Sequence, residues 1–271
     1  MRTQLLVIDP QNDFCDIAGA ALPVAGAGAD LQRLAAFIAH AAGHLNGITV
    51  KLESHPSVAI ERTTFWQQAD DRAVAEFTWL TAEVVRSGHC LPRSRDPQVC
   101  ARALETLEAM SAKAGGMTVW PVHCVTGTWG HNVYAPLAEQ LAQWEFAQQR
   151  PVRKVLKGEH PLSEHFGVFE ADVPLPGAPA TQFNTPLLHA ICGEADLVIW
   201  AGEASSHCVA ASFRQAMRGL AASGRTVRHV LLRDCMSPVP GFEAAADAFF
   251  EEARHTGAEL LTAAQATALW A

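Results

Sequence analysis

Apolar residues follow two alternating patterns along the chain. Short apolar runs at residues 4–9, 48–52, 152–156, 197–202, 227–233 and 259–262 predict six strands. Residues 30–42, 132–149, 185–192, 206–222 and 242–255 have helical spacing, with Asp30 as the expected N-cap of the first helix and Leu137, Leu141 and Trp144 on one face of the second. Such alternation is typical of βαβ units. We therefore predict an α/β protein with three α/β/α layers and a six-stranded, mainly parallel sheet.

Residues 67–117 interrupt this alternation. They contain two helical patterns around the polar loop SGHCLPRSRDP, without a clear strand. We predict a single domain over residues 1–271, with an insertion at about 67–117 that covers the active edge of the sheet as a lid.

The composition argues against several classes of partner. A formal net charge of -8, with 20 Lys and Arg spread thinly along 271 residues, provides neither a basic stripe for nucleic acid nor a polybasic membrane anchor. The apolar run at residues 5–8 is too short for a signal peptide, and no segment approaches the roughly 18 apolar residues of a membrane span. A cytoplasmic location is the expectation.

Seven cysteines occur at irregular spacings and without a C-x-x-C pair. This pattern argues against a zinc ribbon and against a redox motif. We expect buried thiols in a reducing compartment, with at least one of them reactive.

Three reactive side chains lie where predicted strands end. Asp9 ends the first strand, Lys157 ends the third, and Cys208 lies about one turn into the helix after the fourth. In an open parallel sheet, functional groups gather beyond the carboxyl ends of the strands. An acid, an amine and a thiol are therefore expected on one rim.

Each of these side chains has a chemical use and a purely structural alternative. A thiol near a helix N-terminus can act as a nucleophile, a carboxylate can take and return its proton, and an amine can stabilise both charges. Alternatively, Cys208 packs as a small apolar side chain, Asp9 binds a turn, and Lys157 lies on the surface. His207 projects about 100° away from Cys208 on a helix, so it is expected to be structural and not the base of the thiol.

Four segments, in this order, resemble motifs of the isochorismatase-like hydrolases, and within them the nicotinamidases and related cysteine amidases. LLVIDPQNDF resembles the D-x-Q-N-D-F strand, TVWPVHCVTGTWGH the W-P-x-H-C segment, VLKGEH the K-G strand end, and AGEASSHCV the nucleophile turn. The resemblance spans nearly the whole chain. It implies a catalytic triad of Asp9, Lys157 and Cys208.

The resemblance also implies the surroundings of the triad. These are a cis peptide at Glu203–Ala204, an oxyanion hole formed by the N–H groups of Ala204 and Cys208, and a flat substrate between Phe14 and Trp120. From the insertion and its approach, Phe65, Trp66, Phe77 and Trp79 are candidates for lining the pocket, and Trp66 is assigned to substrate binding. A homo-oligomer is expected on the resemblance alone.

The metal site is where the sequence departs from the family. Nicotinamidases bind a divalent ion through an Asp-x-His pair, a further His and the His of W-P-x-H-C. Here Glu53, His55 and His123 form a candidate zinc set, while Glu61 or Arg62 stands where the further His belongs. We expect no required cofactor, with Glu53 paired to Arg62 or to a substrate cation, and with His55 and His123 as hydrogen-bonding groups.

These observations predict a cysteine hydrolase that cleaves an amide-type C–N bond of a small molecule through a thioester. One alternative is an isochorismatase-type vinyl-ether hydrolase, which does not use the cysteine. Another is a non-catalytic member of the family that binds a metabolite or a partner protein.

Overall fold

The computed structural model describes residues 1–270. Ten strands occur in chain order: β1 (Thr3–Ile8), β2 (Leu45–Glu53), β3 (Trp66–Gln68), β4 (Thr78–Leu80), β5 (Cys90–Pro92), β6 (Met117–Val119), β7 (Arg153–Lys157), β8 (Leu197–Gly202), β9 (Arg228–Leu232) and β10 (Glu259–Leu261). Six of them form one sheet in the order β10-β9-β8-β1-β2-β7, and every neighbouring pair is parallel. The predicted six-stranded sheet is confirmed.

The helices within residues 1–270 are α1 (Ala27–Ala41), α2 (Ala82–Arg86), α3 (Pro97–Ala114), α4 (Ala135–Gln148), α5 (Thr185–Cys192), α6 (Ala210–Ser223), α7 (Glu243–His255) and α8 (Ala263–Ala266). All of them except α2 and α3 cover the two faces of this sheet. Side chains alternate along a strand, so in β1 Leu5 and Val7 pack with α1, α4 and α8, while Leu6 and Ile8 pack with α5, α6 and α7. The central strands are apolar on both faces because both faces are covered. The three-layer α/β/α prediction is confirmed.

The predicted start of the first helix is wrong. Helix α1 begins at Ala27 after Gly26, which adopts a left-handed φ of 92°. Asp30 lies inside the helix, where its carboxylate pairs with Arg33 and accepts a 2.6 Å hydrogen bond from the Ser237 hydroxyl. The side chain therefore fixes a distant loop against the helix instead of capping it.

The insertion contains strands that its sequence pattern did not reveal. β3 pairs with β5 and β4 pairs with β6, each as a two-stranded antiparallel sheet. Helix α2 connects β4 to β5, and helix α3 connects β5 to β6. These strands have three residues each, too short for an alternating pattern to be recognised. Apolar side chains from Ile60 to Val119 form a separate core around Trp66 and Leu107. The expectation of no clear strand in this segment is wrong.

All seven cysteines are free thiols, and six of them are buried.

None of the helices within residues 1–270 combines the length and the apolar character needed to cross a membrane.

Candidate active site

The carboxyl edge of the sheet brings the three predicted catalytic side chains together. Asp9 follows β1, Lys157 ends β7, and Cys208 lies in a π-helical turn, Ser205–Val209, that leads from β8 into α6. The Lys157 Nζ lies 3.7 Å from the Cys208 Sγ. One side-chain oxygen of Asp9, one of Glu53 and the Cys208 sulfur lie within 4.8 Å of one another.

Side chains of the Q-N-D-F segment, residues 11–14, hold this edge of the sheet through hydrogen bonds. The Gln11 amide bonds the backbone of Glu53 twice, accepting from its N–H at 2.7 Å and donating to its carbonyl at 2.8 Å. Asp13 accepts a 2.7 Å hydrogen bond from the Cys124 N–H. The loop after β1 is thereby fixed both to the end of β2 and to the segment that carries His123.

Glu53 is the most connected side chain at the centre of the site. Its Oε1 accepts from the Lys157 ammonium at 2.6 Å and from the Cys208 thiol at 3.5 Å. Its Oε2 lies 3.2 Å from the His55 Nε2 and 2.9 Å from the His123 Nε2. The expected pairing of Glu53 with Arg62 is wrong, because Lys157 and the two histidines take up its oxygens.

A second buried lysine, which the sequence analysis missed, completes the cluster. Lys51 is fully buried in β2 and donates to the Asp9 Oδ2 at 2.5 Å and to the Phe166 carbonyl at 2.8 Å. The sequence did contain a signal for this residue, because Lys51 interrupts the apolar run of the strand at residues 48–52. A lysine in a strand that is covered on both faces requires a buried partner.

The two carboxylates differ in their protonation preferences. Burial raises the pKa of Asp9, with Lys51 and Lys157 acting in the opposite direction. Burial also acts to raise the pKa of Glu53, but Lys157 and His55 outweigh it and hold that pKa well below its ordinary value. Asp9 is therefore the better proton acceptor and Glu53 the more persistent anion.

Burial also governs the thiol and its amine. It raises the pKa of Cys208 well above its ordinary value, although Lys157 and Lys51 oppose the shift. Burial acts to lower the pKa of Lys157, but the charges of Cys208, Glu53 and Asp9 raise it overall. The resting site thus holds a thiol beside a charged amine, so the thiol must pass its proton to a base in order to attack.

The turn before Cys208 contains the cis peptide bond that the motif resemblance implied. The Glu203–Ala204 peptide bond is cis, and the Ala204 N–H donates no hydrogen bond within residues 1–270. Gly202 has a φ of 106°, and a Cβ there would lie 2.0 Å from the Ile8 carbonyl oxygen. Only glycine lets β8 approach β1 this closely while the chain turns toward the site.

A narrow cavity leads to the thiol. Its lining includes Phe14, Leu22, Glu53, His55, Arg62, Trp120, His123, Glu164, Phe166, Ala204, His207, Cys208 and Val239. Phe14 and Trp120 thus line the cavity, as the predicted substrate contacts require. The His207 ring lies in the aromatic part of the wall, 5.4 Å from Trp120 and 4.6 Å from Phe242 between ring centroids.

Trp66 does not line this cavity, so its assignment to substrate binding is wrong. It is fully buried in the core of the insertion and donates to the Ile60 carbonyl at 2.6 Å. Phe65 packs against it, and Trp79 is half exposed at the surface. Phe77 does not line the cavity either, but its ring makes a T-shaped contact with that of Trp120, with 6.0 Å between the ring centroids.

Glu53, His55 and His123 do form a compact group that could hold a metal ion, with one donor atom of each within 4.8 Å of the others. Gly158, with a φ of 84°, makes room for His55, since a Cβ at this position would lie 2.4 Å from its ring. A carboxylate and two imidazoles are ligands that suit zinc.

Arg62 competes for the same position. Its Nη1 donates to the Pro121 carbonyl at 3.0 Å and contacts both ring nitrogens of His123: the Nδ1 and, at 3.0 Å, the Nε2 that faces Glu53. The Glu61 Oε1 lies 3.1 Å from both the His55 Nδ1 and the Arg62 Nε. The three donors therefore fit a divalent ion only if the guanidinium moves away, and as placed they do not fit one.

Glu164 is a further cavity residue that the sequence analysis missed. It is buried, its Oε1 accepts from the His165 N–H at 2.9 Å, and its Oε2 has no partner within residues 1–270. Burial, reinforced by the charge of Glu61, raises its pKa to about 8. No motif identified this residue, because its position depends on how the loop after β7 folds over the site.

Solved structures of other proteins share the fold of this chain. No family model matches the chain, and neither does any curated protein sequence. The yeast nicotinamidase Pnc1p is 20% identical with a TM-score of 0.63, over 96% of this chain and 99% of that one. The pyrazinamidase of Pyrococcus horikoshii, solved in complex with zinc, is 19% identical with a TM-score of 0.57, over 97% and 99%.

An isochorismatase-like hydrolase from Alkaliphilus metalliredigens is 16% identical with a TM-score of 0.55, over 100% of both chains. The chain therefore has the fold of the isochorismatase-like hydrolases, the class that includes the nicotinamidases and pyrazinamidases, as the motif resemblance predicted.

Proposed function

We propose that this protein is a cysteine hydrolase that cleaves the C–N bond of a small, flat amide through a thioester. The observation that carries the proposal is the position of Cys208 at the end of a narrow cavity, with an ammonium 3.7 Å away and the carboxylate of Asp9 in the same cluster. The fold shared with nicotinamidases and pyrazinamidases supports it.

In this mechanism the Cys208 thiol transfers its proton to Asp9 as the sulfur attacks the amide carbonyl. The negative oxygen of the intermediate is received by backbone N–H groups, for which Ala204 offers one without another partner. The intermediate collapses, the C–N bond breaks, and the amine leaves with the proton from Asp9. Water, deprotonated by Asp9, then cleaves the thioester, and the released sulfur regains that proton.

Lys157 and Glu53 hold the site without taking part in proton transfer. The Lys157 ammonium faces both the sulfur and the Glu53 carboxylate, so it stabilises the thiolate as the proton departs. The ion pair between Lys157 and Glu53 keeps the amine charged and in place.

We further propose that no metal is required and that Arg62 serves as the substrate anchor. Arg62 lines the cavity, is almost fully buried, and has an Nη2 without a hydrogen-bond partner within residues 1–270. A buried guanidinium N–H lacks its partner until a ligand supplies an acceptor. The substrate therefore carries an oxygen acceptor at the end away from its scissile amide.

The test is a panel of aromatic primary amides with ammonia detection, in which benzamide and 3-carbamoylbenzoate differ only in the acceptor. The wild type is expected to prefer the carboxylate-bearing amide by roughly tenfold or more, and Arg62→Met to lose that preference while it still hydrolyses benzamide. Equal preference in both proteins would contradict the anchor.

The nucleophile is tested in parallel. Cys208→Ala is expected to lose about 10³-fold or more in turnover while it remains folded, because covalent catalysis is removed and little packing changes. Limited iodoacetamide labelling should modify Cys208 before Cys15, Cys124 or Cys235. Turnover retained in Cys208→Ala would instead favour vinyl-ether hydrolysis, and no turnover of any compound would favour a binding protein.

The predicted homo-oligomer and cytoplasmic location stay predictions. Light scattering on the purified protein measures the first, and fractionation of cells measures the second.

A further inference from the structure

Lys51 occupies a position in β2 at which the fold itself does not require a lysine. It lies in β2 between Val50 and Leu52, pairs in register with Ile8 and Val155 of the neighbouring strands, and has no solvent exposure. Burying an ammonium in a sheet covered on both faces is costly unless it is paired and hydrogen-bonded. Its two partners, Asp9 and the Phe166 carbonyl, both belong to the edge that carries Cys208.

The two lysines of the site have separate partners. Lys157 donates to Glu53, to the His165 carbonyl and to the Cys208 sulfur. Lys51 holds the Oδ2 of Asp9 at 2.5 Å. Its hold on one carboxylate oxygen leaves the Oδ1 of Asp9 buried and without a hydrogen-bond partner within residues 1–270.

An aspartate with only one oxygen free presents that oxygen in a defined direction. A carboxylate without a partner could rotate about its Cβ–Cγ bond, and one held by a bidentate partner would have neither oxygen free. Asp9 follows β1 with a left-handed φ of 41°, and its backbone N–H donates to the Lys51 carbonyl at 2.9 Å. Both its backbone and its side chain are therefore held by Lys51.

We propose that Lys51 is a positioning residue for catalysis: it fixes Asp9 so that Oδ1 stays free and directed to receive the proton of the Cys208 thiol. The inference rests on the proposed cysteine hydrolase mechanism and extends it from a triad to a four-residue arrangement, in which each lysine serves a different reacting group.

The test uses Lys51→Met, which keeps an unbranched side chain and removes the ammonium. Lys154→Met is the matched control, because Lys154 lies on the adjacent strand opposite Val50 but is exposed. The measurement is the rate at which iodoacetamide alkylates Cys208, followed by peptide mapping, and it needs no knowledge of the substrate.

Lys51→Met is expected to slow alkylation of Cys208 by about tenfold or more, and to lower kcat by roughly 10²-fold with little change in KM, whereas Lys154→Met changes neither. Methylammonium added to Lys51→Ala should restore part of the rate, and tetramethylammonium at the same ionic strength should not.

The outcomes separate this inference from its alternatives. A purely structural lysine predicts the opposite sign, because loosening the fold would speed alkylation of Cys208 together with the buried Cys15, Cys124 and Cys192. An unchanged Cys208 rate and kcat in a folded Lys51→Met protein would overturn the inference alone. If Cys208 is no more reactive than the buried Cys15, Cys124 and Cys235 in the wild type, the proposed function itself fails.

Discussion

Glu53→Gln is the substitution that most directly tests whether the charges of the site are assembled in the folded protein. The change keeps the size of the side chain and removes its negative charge. In the folded protein this charge faces the Lys157 ammonium at 2.6 Å, and both side chains are almost completely buried.

The expected cost follows from that burial. Removing one partner of a buried ion pair leaves the other charge uncompensated in the interior, which costs about 3–5 kcal/mol of unfolding free energy. Because the pKa of Glu53 is held well below its ordinary value of 4.5, this contribution is fully present above that value and is lost as pH falls through the lowered one.

A matched control is available on the surface. Glu259 makes a bidentate ion pair with Arg228 at 2.6 and 3.0 Å, with about two fifths of each side chain exposed. Glu259→Gln removes the same charge from a solvated pair, so it is expected to cost only about 0–1 kcal/mol.

The assay is urea unfolding at pH 7, followed by tryptophan fluorescence, with the denaturant dependence compared among the three proteins. If Glu53→Gln costs no more than Glu259→Gln, Glu53 and Lys157 do not form a charged pair that stabilises the folded protein.

Two further predictions follow from the site. Burial raises the pKa of Glu164 to about 8, whereas the unfolded carboxyl titrates near 4.5, so the native state holds more protons in this window and stability falls as pH rises across it. Glu164→Gln should therefore melt at nearly the wild-type temperature at pH 5 but above it at pH 9; a constant difference would contradict this. Zinc content after purification without chelator should be negligible in the wild type and higher in Arg62→Met, because the variant frees the His123 nitrogen; stoichiometric zinc needed for wild-type turnover would overturn the metal-free proposal.

The alternation of apolar strands and helices predicted the main sheet because each of its elements buries a continuous apolar face. The buried face of α4, with Leu137, Leu141 and Trp144, was read correctly for this reason. The strands of the insertion were not, since three residues carry no measurable alternation and their pairing joins segments more than twenty residues apart.

By itself, the sequence determined the class of fold and the strand ends at which Asp9, Lys157 and Cys208 would meet, because parallel strands direct their carboxyl ends to one edge. Only the tertiary structure decided which charge each of them faces. Lys51 reaches Asp9, Glu53 turns to Lys157, and Arg62 takes up the space beside His123. These pairings depend on side-chain directions across neighbouring strands and loops, and on burial that makes each unpaired charge costly, which local sequence does not encode.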